Sequence, residues 1–171
     1  KQNDEAIIRC NNFYCPSQVL GRIQHYCSKL AMNIEGLGEK IVEQLIENKL
    51  VKNIDDLYLI KKNEIAKLDG LGEKSAENII DSINNSKETT FSKFVYALGI
   101  RNVGEHTSKL LEKKFKGDMD RFKNTSDIEL LEVDEIGEIV ARSIVNFWND
   151  EKNSTMVQNC LNRGVIINSP I

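Results

Sequence analysis

Ile34-Glu-Gly-Leu-Gly-Glu-Lys40 is written again, almost letter for letter, as Leu68-Asp-Gly-Leu-Gly-Glu-Lys74. Two looser copies follow: Ile100-Arg-Asn-Val-Gly104 leading into Glu105-His-Thr-Ser-Lys-Leu-Leu111, and Val133-Asp-Glu-Ile-Gly137 leading into Glu138-Ile-Val-Ala-Arg-Ser-Ile144. Aligned on the last glycine, the anchors are Gly38, Gly72, Gly104 and Gly137, separated by 34, 32 and 33 residues. A fixed period of that size marks an array of one supersecondary unit. Each copy has apolar positions before the glycines and a strongly helical stretch after them, which reads as helix, tight hairpin, helix.

A Gly-x-Gly turn between two helices allows positive φ and removes the side chains that would hold a partner away. The second helix begins at once, so its unpaired N–H groups and positive dipole end point out of the turn. Exposed amides at a helix N-terminus form an anion site suited to phosphate. Lys40 and Lys74 stand two residues past the second glycine and add positive charge beside it. A glycine-rich turn that simply packs is the alternative for one copy; four copies in register favour phosphate binding.

The chain has 171 residues, 40% hydrophobic and 29% charged, with only two prolines, which predicts a globular and very helical protein. It holds no apolar run of membrane-spanning length and no secretory signal pattern. Four cysteines without disulfide-like spacing suggest a reducing, cytosolic setting. The opening Lys1-Gln-Asn-Asp, without Met, reads as a piece of a longer chain. A net charge of −3 does not advertise a nucleic-acid binder. Uncharged backbone donors with a few local lysines reconcile the two, and predict a weak, non-specific grip with a modest salt slope.

Taken in order, residues 1–15 end in Cys10-Asn-Asn-Phe-Tyr-Cys15, two thiols at a spacing suited to half of a tetrahedral zinc site. The preferred reading is a zinc module whose first ligand pair lies upstream, with free thiols as the alternative; His25 and Cys27 are further ligand candidates in principle. Pro16 suits a first helical turn, and Val19, Leu20, Ile23, Tyr26, Cys27 and Leu30 share a helical face. Ile41, Val42, Leu45 and Ile46 line the helix after the first hairpin, and a short segment spans Ile54 to Leu59. Asn84-Asn-Ser-Lys-Glu-Thr-Thr90 is a polar break that divides a first pair of repeats (16–86) from a second (87–164). Ile139, Ile144, Val145 and Trp148 are expected to face inward in the fourth unit, and a last helix runs from Ser154 to Asn162. No segment shows convincing strand alternation. The expected fold is all-α: four tandem helix-hairpin-helix motifs in two pairs, with residues 165–171 as a tail.

Lys67-Leu-Asp-Gly70 spells the Lys-x-Asp-Gly signature of enzymes that form a covalent lysyl-nucleotide, but it is embedded in the second hairpin, without sign of a nucleotide pocket. His25 and His106 read as ordinary surface or partly buried side chains, with a phosphate contact open to His106. Cys27 and Cys160 fall on apolar faces and read as core. No spacing argues for a catalytic constellation.

Cys10-x4-Cys15-Pro16, Met32-Asn-Ile-Glu-Gly-Leu-Gly-Glu-Lys40, Leu57-Tyr58, Leu68-Asp-Gly-Leu-Gly-Glu-Lys-Ser-Ala76 and Ala97-Leu-Gly-Ile-Arg-Asn-Val-Gly104 together resemble bacterial NAD-dependent DNA ligases. The resemblance covers nearly the whole chain, from the end of a zinc finger through the helix-hairpin-helix domain, and Val165-Ile-Ile-Asn168 looks like the end of that domain, before a BRCT module. It implies a cytoplasmic bacterial protein that grips nicked double-stranded DNA across the minor groove, for replication and repair. It implies an enzyme that uses NAD and Mg to adenylate a lysine, passes AMP to the 5′-phosphate of the nick and seals it with the 3′-hydroxyl. By match, the phosphate-binding positions would be Gly36, Gly38 and Lys40; Gly70, Gly72 and Lys74; and Gly99, Arg101 and Gly104. Cys10 and Cys15 correspond to the last two of four zinc ligands. The adenylation and OB-fold domains of the family are absent, so this piece is expected to be inactive alone, to bind neither NAD nor any small-molecule substrate, and to touch no membrane. Two departures stand out: the first cysteine pair is missing, and Glu135 replaces glycine in the fourth hairpin, so the Gly137 corner is expected to bind weakly or to pack. A helical protein-interaction repeat and a helix-hairpin-helix module of another repair protein, such as a base-excision glycosylase, are the competing readings; the latter would need a catalytic Asp or Lys facing a base pocket.

Overall fold

A computed structural model describes residues 15–168. Ten helices follow one another: α1 (Pro16–Cys27), α2 (Glu39–Glu47), α3 (Lys62–Ala66), α4 (Glu73–Asn85), α5 (Phe91–Ala97), α6 (Glu105–Phe115), α7 (Met119–Lys123), α8 (Asp127–Leu131), α9 (Glu138–Asn149) and α10 (Glu151–Asn162). A 3-10 segment, Ile54–Leu59, lies between α2 and α3. The chain is mostly helical, as the periodicity predicts.

Sequence chemistry explains where the helices begin and end. Pro16 opens α1, where its missing N–H has no intrahelical partner in any case. Thr90, Asp118, Ser126 and Asp150 cap α5, α7, α8 and α10 with side-chain oxygens that accept first-turn N–H groups. The Asp150 cap starts α10 at Glu151, three residues before the expected start. Lys116 (φ +54) and Gly117 (φ +75) turn the chain out of α6.

The helices pack one apolar face each into a common core. Phe122 packs edge-on against Phe91 and Trp148 and tilted against Phe115, with ring centroids 5.4–5.5 Å apart. Tyr26 joins the first half of the chain to the second, edge-on to Phe94 at 6.4 Å. The last helix returns to the first half: Asn159 Nδ2 donates to Asp55 Oδ2 at 2.8 Å, and Arg163 donates to the Asp55 carbonyl at 2.8 Å.

Three local expectations change. Ile139 is 70% exposed rather than inward-facing, because at about 100° per residue it lies roughly 140–180° round α9 from the buried Ala141, Ile144 and Trp148, on the opposite face. Leu30 lies beyond the end of α1 and is exposed. Residues Glu88–Thr90 and Ile166–Asn168 pair as a parallel two-stranded sheet, β1 and β2, in the register Glu88 with Ile166 and Thr90 with Asn168. Strands of three residues are too short to betray a period of two, and their partners lie far apart in sequence.

Candidate nucleic-acid interface

The four repeat glycines all take one structural role. Gly38, Gly72, Gly104 and Gly137 are the N-caps of α2, α4, α6 and α9, with extended backbones at φ −75°, −119°, −98° and −93°. None of the four helices receives a side-chain cap hydrogen bond, unlike α5, α7, α8 and α10. Their first-turn amides therefore keep free hydrogen-bonding capacity. A Cβ added at any of these glycines would meet nothing within 4 Å. All four corners are open, neither buried nor plugged by a neighbour.

A tight turn precedes each corner. Leu71, Val103 and Ile136 donate N–H groups to the carbonyls of Leu68, Ile100 and Val133 at 3.1, 3.0 and 3.1 Å. The third residue of each turn has positive φ: Gly70 at +78°, Asn102 at +67° and Glu135 at +75°, with Gly36 at +92° in the first copy. An i to i+3 bond with positive φ at the third residue is the type II pattern. Ile34, Leu37, Leu68, Ile100, Val103 and Ile136 are buried, so the apolar ends of the turns anchor them inward and leave the middle peptide at the surface.

This frame places each expected site residue. Gly36, Gly38 and Lys40 share one corner, and Gly70, Gly72 and Lys74 share another, with both lysines exposed at the second helical position. Arg101 is the exposed second residue of the third turn, next to Gly104. Gly99 lies outside that turn: at φ +68° it follows Leu98, the C-cap of α5, with the His25 ring 3.5 Å from where its Cβ would be. Asn102 is the residue that holds the place of Gly36 and Gly70, and sequence reading passed over it. Counting back two residues from Gly104 finds it, and asparagine is a favoured non-glycine in left-handed conformation.

Each corner is braced by the other half of its pair. Ile79 of α4 sits 3.0 Å from the Cβ position of Gly36. Gln44 of α2 accepts the Asp69 N–H at 2.8 Å and donates to the Asp69 carbonyl at 3.2 Å. Asn102 donates to Ser143 Oγ of α9 at 2.9 Å, and His106 Nε2 of α6 lies 3.2 Å from a Glu135 carboxylate oxygen.

Charge grades the corners. A glutamate follows every cap glycine (Glu39, Glu73, Glu105, Glu138), which favours the helix dipole but crowds an incoming anion. Lys62 stands 3.7 Å from Glu73, and Arg142 stands 3.5 Å from Glu138. The next position is Lys40, Lys74, His106 and Ile139 in turn. The fourth corner, with Asp134, Glu135 and Ile139, has least to offer a phosphate.

The zinc expectation rests on two residues, of which Cys10 lies outside the described ones. Cys15, half-buried, immediately precedes α1. His25 Nε2 is engaged with the Tyr96 carbonyl at 2.6 Å, and burial pushes the Cys27 thiol up to about 12, away from the thiolate that zinc requires. Two thiols cannot fill a tetrahedral site, and no cluster of three or more metal-capable side chains occurs among the described residues. Lys67, at the end of α3, is exposed and lines a shallow surface hollow with Gln44, Glu64 and Asp69 rather than a nucleotide pocket. No helix among the described residues is long and apolar enough to cross a membrane.

Residues 28–85 match the SAM-like helix-hairpin-helix tandem family, and residues 93–157 match the helix-hairpin-helix motif family. Proteins named DNA ligase are similar to the chain over nearly its whole length. That of Geotalea uraniireducens is 43% identical over 161 residues, 94% of this chain and 24% of the relative. That of Geobacter metallireducens is 44% identical over 162 residues, 95% of this chain and 24% of the relative. That of Natranaerobius thermophilus is 42% identical over 168 residues, 98% of this chain and 25% of the relative. The chain spans about a quarter of the length of the curated relatives it matches. With open glycine-capped corners and these matches together, the chain carries helix-hairpin-helix motifs and corresponds to about a quarter of the length of proteins named DNA ligase.

Proposed function

We propose that the chain is the DNA-gripping part of an NAD-dependent DNA ligase, built as four helix-hairpin-helix motifs in two pairs. Its hairpin amides hold duplex phosphates without reading base sequence. The observation that carries the reading is the set of four uncapped helix N-termini, each opened by a glycine with empty space beside it. Amides pre-aimed by the turn bind an anion without reorganising, and contacts to phosphates position a duplex but carry no sequence information. Lys40 and Lys74 add charge at the first two corners; Arg101 does so at the third. In such an enzyme NAD supplies the adenylate for nick sealing, and that chemistry belongs to the portion of the relatives that lies outside this chain. Nicked duplex is the expected partner, and the chain alone is expected to have no ligase activity.

Fluorescence anisotropy with labelled duplexes tests the proposal. Nicked DNA and unrelated intact duplexes should bind about equally at low salt, with affinity falling as salt rises at a log–log slope of about −0.9 per phosphate held. Val at both Gly38 and Gly72 fits the space and the backbone of these positions. The double substitution should lower affinity by about thirtyfold or more, the scale of two hydrogen bonds worth about 1 kcal/mol each, with the helical circular dichroism unchanged. Unchanged affinity refutes the amide cradle. A strong preference for one sequence refutes the non-specific grip.

A protein-contact role is favoured by Ile128 and Leu131 of α8 and Ile139 of α9, all exposed in the fourth unit. If the chain binds no duplex at low salt, that reading replaces the first.

A further inference from the structure

Gly70 has no side chain to choose its own orientation, yet its amide must face outward if the second corner is to hold a phosphate. The Asp69–Gly70 peptide is the middle peptide of a type II turn, and turning it over by about half a circle gives the type I arrangement, in which its N–H points the other way. Glycine tolerates both. Something outside the turn has to select between them.

We propose that Gln44 is a positioning residue for the second corner: its side-chain amide fixes the Asp69–Gly70 peptide plane and so aims the Gly70 N–H at the phosphate. This rests on the phosphate reading above. Gln44 is half-buried on α2, six residues beyond Gly38. Its Oε1 accepts the Asp69 N–H at 2.8 Å, and its Nε2 donates to the Asp69 carbonyl at 3.2 Å. Only one orientation of the amide makes both bonds, so the pairing sets its own register. A trans peptide is planar, with its C=O and N–H pointing oppositely. Holding the Asp69 carbonyl toward α2 therefore turns the Gly70 N–H away from α2. Open space lies on the Cβ side of Gly70, with no atom within 4 Å.

The second half of the chain repeats the arrangement with different residues. Ser143 lies six residues beyond Gly137, as Gln44 lies six beyond Gly38, and it holds the side chain of Asn102 in the third turn. In both pairs the helix after one corner reaches across and sets the turn of the other. The two corners of a pair are thus fixed in relation to each other, so a duplex held at one is presented correctly to the next.

Gln44→Met keeps the volume and the helix propensity of the side chain and removes both bonds. Duplex affinity of the 171-residue chain should fall about fivefold, and the salt slope should shrink by about 0.9, the share of one phosphate. The same substitution should have no further effect in a Gly72→Val background, where the second corner is already disabled, and its full effect in a Gly38→Val background. The Gly70 amide resonance should move in the free Gln44→Met protein. A loss of equal size in both backgrounds, or no loss in the otherwise native chain, overturns the positioning role. If the glycine substitutions themselves leave affinity unchanged, the phosphate reading has failed and takes this inference with it. If they weaken binding while Gln44→Met does not, the positioning role alone has failed. Gln44→Ala gives the same comparison should the methionine variant not fold.

Discussion

Glu135→Gly separates the two consequences of placing glutamate where the first two repeats have glycine. Glu135 sits at φ +75°, in the third position of the fourth turn, with its carboxylate 3.2 Å from His106 Nε2. A left-handed conformation destabilises an L-residue by roughly 1–2 kcal/mol, which glycine relieves. Against that, glycine adds unfolded-state freedom of about 0.4–1 kcal/mol. The pair with His106 is 63–70% exposed and, solvent-screened, is worth at most about 1 kcal/mol. These effects nearly cancel, so urea denaturation should show a stability change within about 1 kcal/mol. Binding should move more clearly. A carboxylate ~6 Å from a phosphate in water repels it by about 0.7 kcal/mol, so its removal should tighten duplex binding about threefold at low salt. The gain should fade as salt rises. Glu135→Gln removes the charge and keeps the strain, so it should match the binding gain while losing stability relative to Glu135→Gly. If neither variant binds more tightly at low salt, the fourth corner lies away from the phosphates and the graded-corner account is wrong.

Gly36→Ala and Gly70→Ala place a methyl on two positive-φ glycines that differ in their surroundings. At Gly36 the Cβ would meet Ile79 Cγ1 at 3.0 Å, whereas at Gly70 it meets nothing. Urea denaturation should show Gly36→Ala to be the more destabilising by about 1 kcal/mol or more, and equal losses would show that Ile79 does not brace the first turn. Burial raises the Cys27 thiol from 9.0 to about 12, and raises Cys160, Tyr26 and Tyr58 as well. The ionised forms are favoured in the unfolded chain, so the stability these groups contribute is complete below pH 9. It is lost as pH rises through 9 to 12, by about 1.4 kcal/mol per pH unit for each thiol. Thermal melts should stay level from pH 7 to 8.5 and fall steeply above 9, and Cys27→Ala should flatten that decline even if it lowers the plateau.

Glycine spacing made the repeats legible because the constraint is local. A turn that needs positive φ and a helix that starts without a side chain both leave their mark in the letters, at Gly36, Gly38, Gly70 and Gly72. The third and fourth turns were harder to read, since Asn102 and Glu135 take up the same backbone under different names. Asn102 could have been found by counting from Gly104. Gly99 drew attention instead because it is a glycine, although its work is to end α5. The braces were not legible at all. Gln44 and Asp69 are 25 residues apart, and Asn102 and Ser143 are 41 apart, with nothing in either sequence context to couple them. Ile139 misled for a different reason: it is apolar, but the helical period itself sets it opposite Ala141, Ile144 and Trp148, on the solvent face of α9.

A chain of net charge −3 that holds a polyanion must rely on donors that the charge count does not see. On the proposed reading each corner supplies a few amides, partly opposed by the glutamate that follows the cap, so each is a weak site. Placing several weak sites on one rigid frame changes the arithmetic, because once the first corner engages, the rest bind at a high effective concentration. Rigidity then matters as much as the contacts, and the structure invests in it: Ile79, Gln44, Ser143 and His106 each reach from one helix to the turn of its neighbour. Disabling one corner should therefore lower affinity by about tenfold or less, while loosening a brace should lower it without removing any group that touches DNA. A single substitution at one glycine that abolished binding outright would contradict this division of labour, for it would mean that one corner carries the grip and the other three are scaffolding.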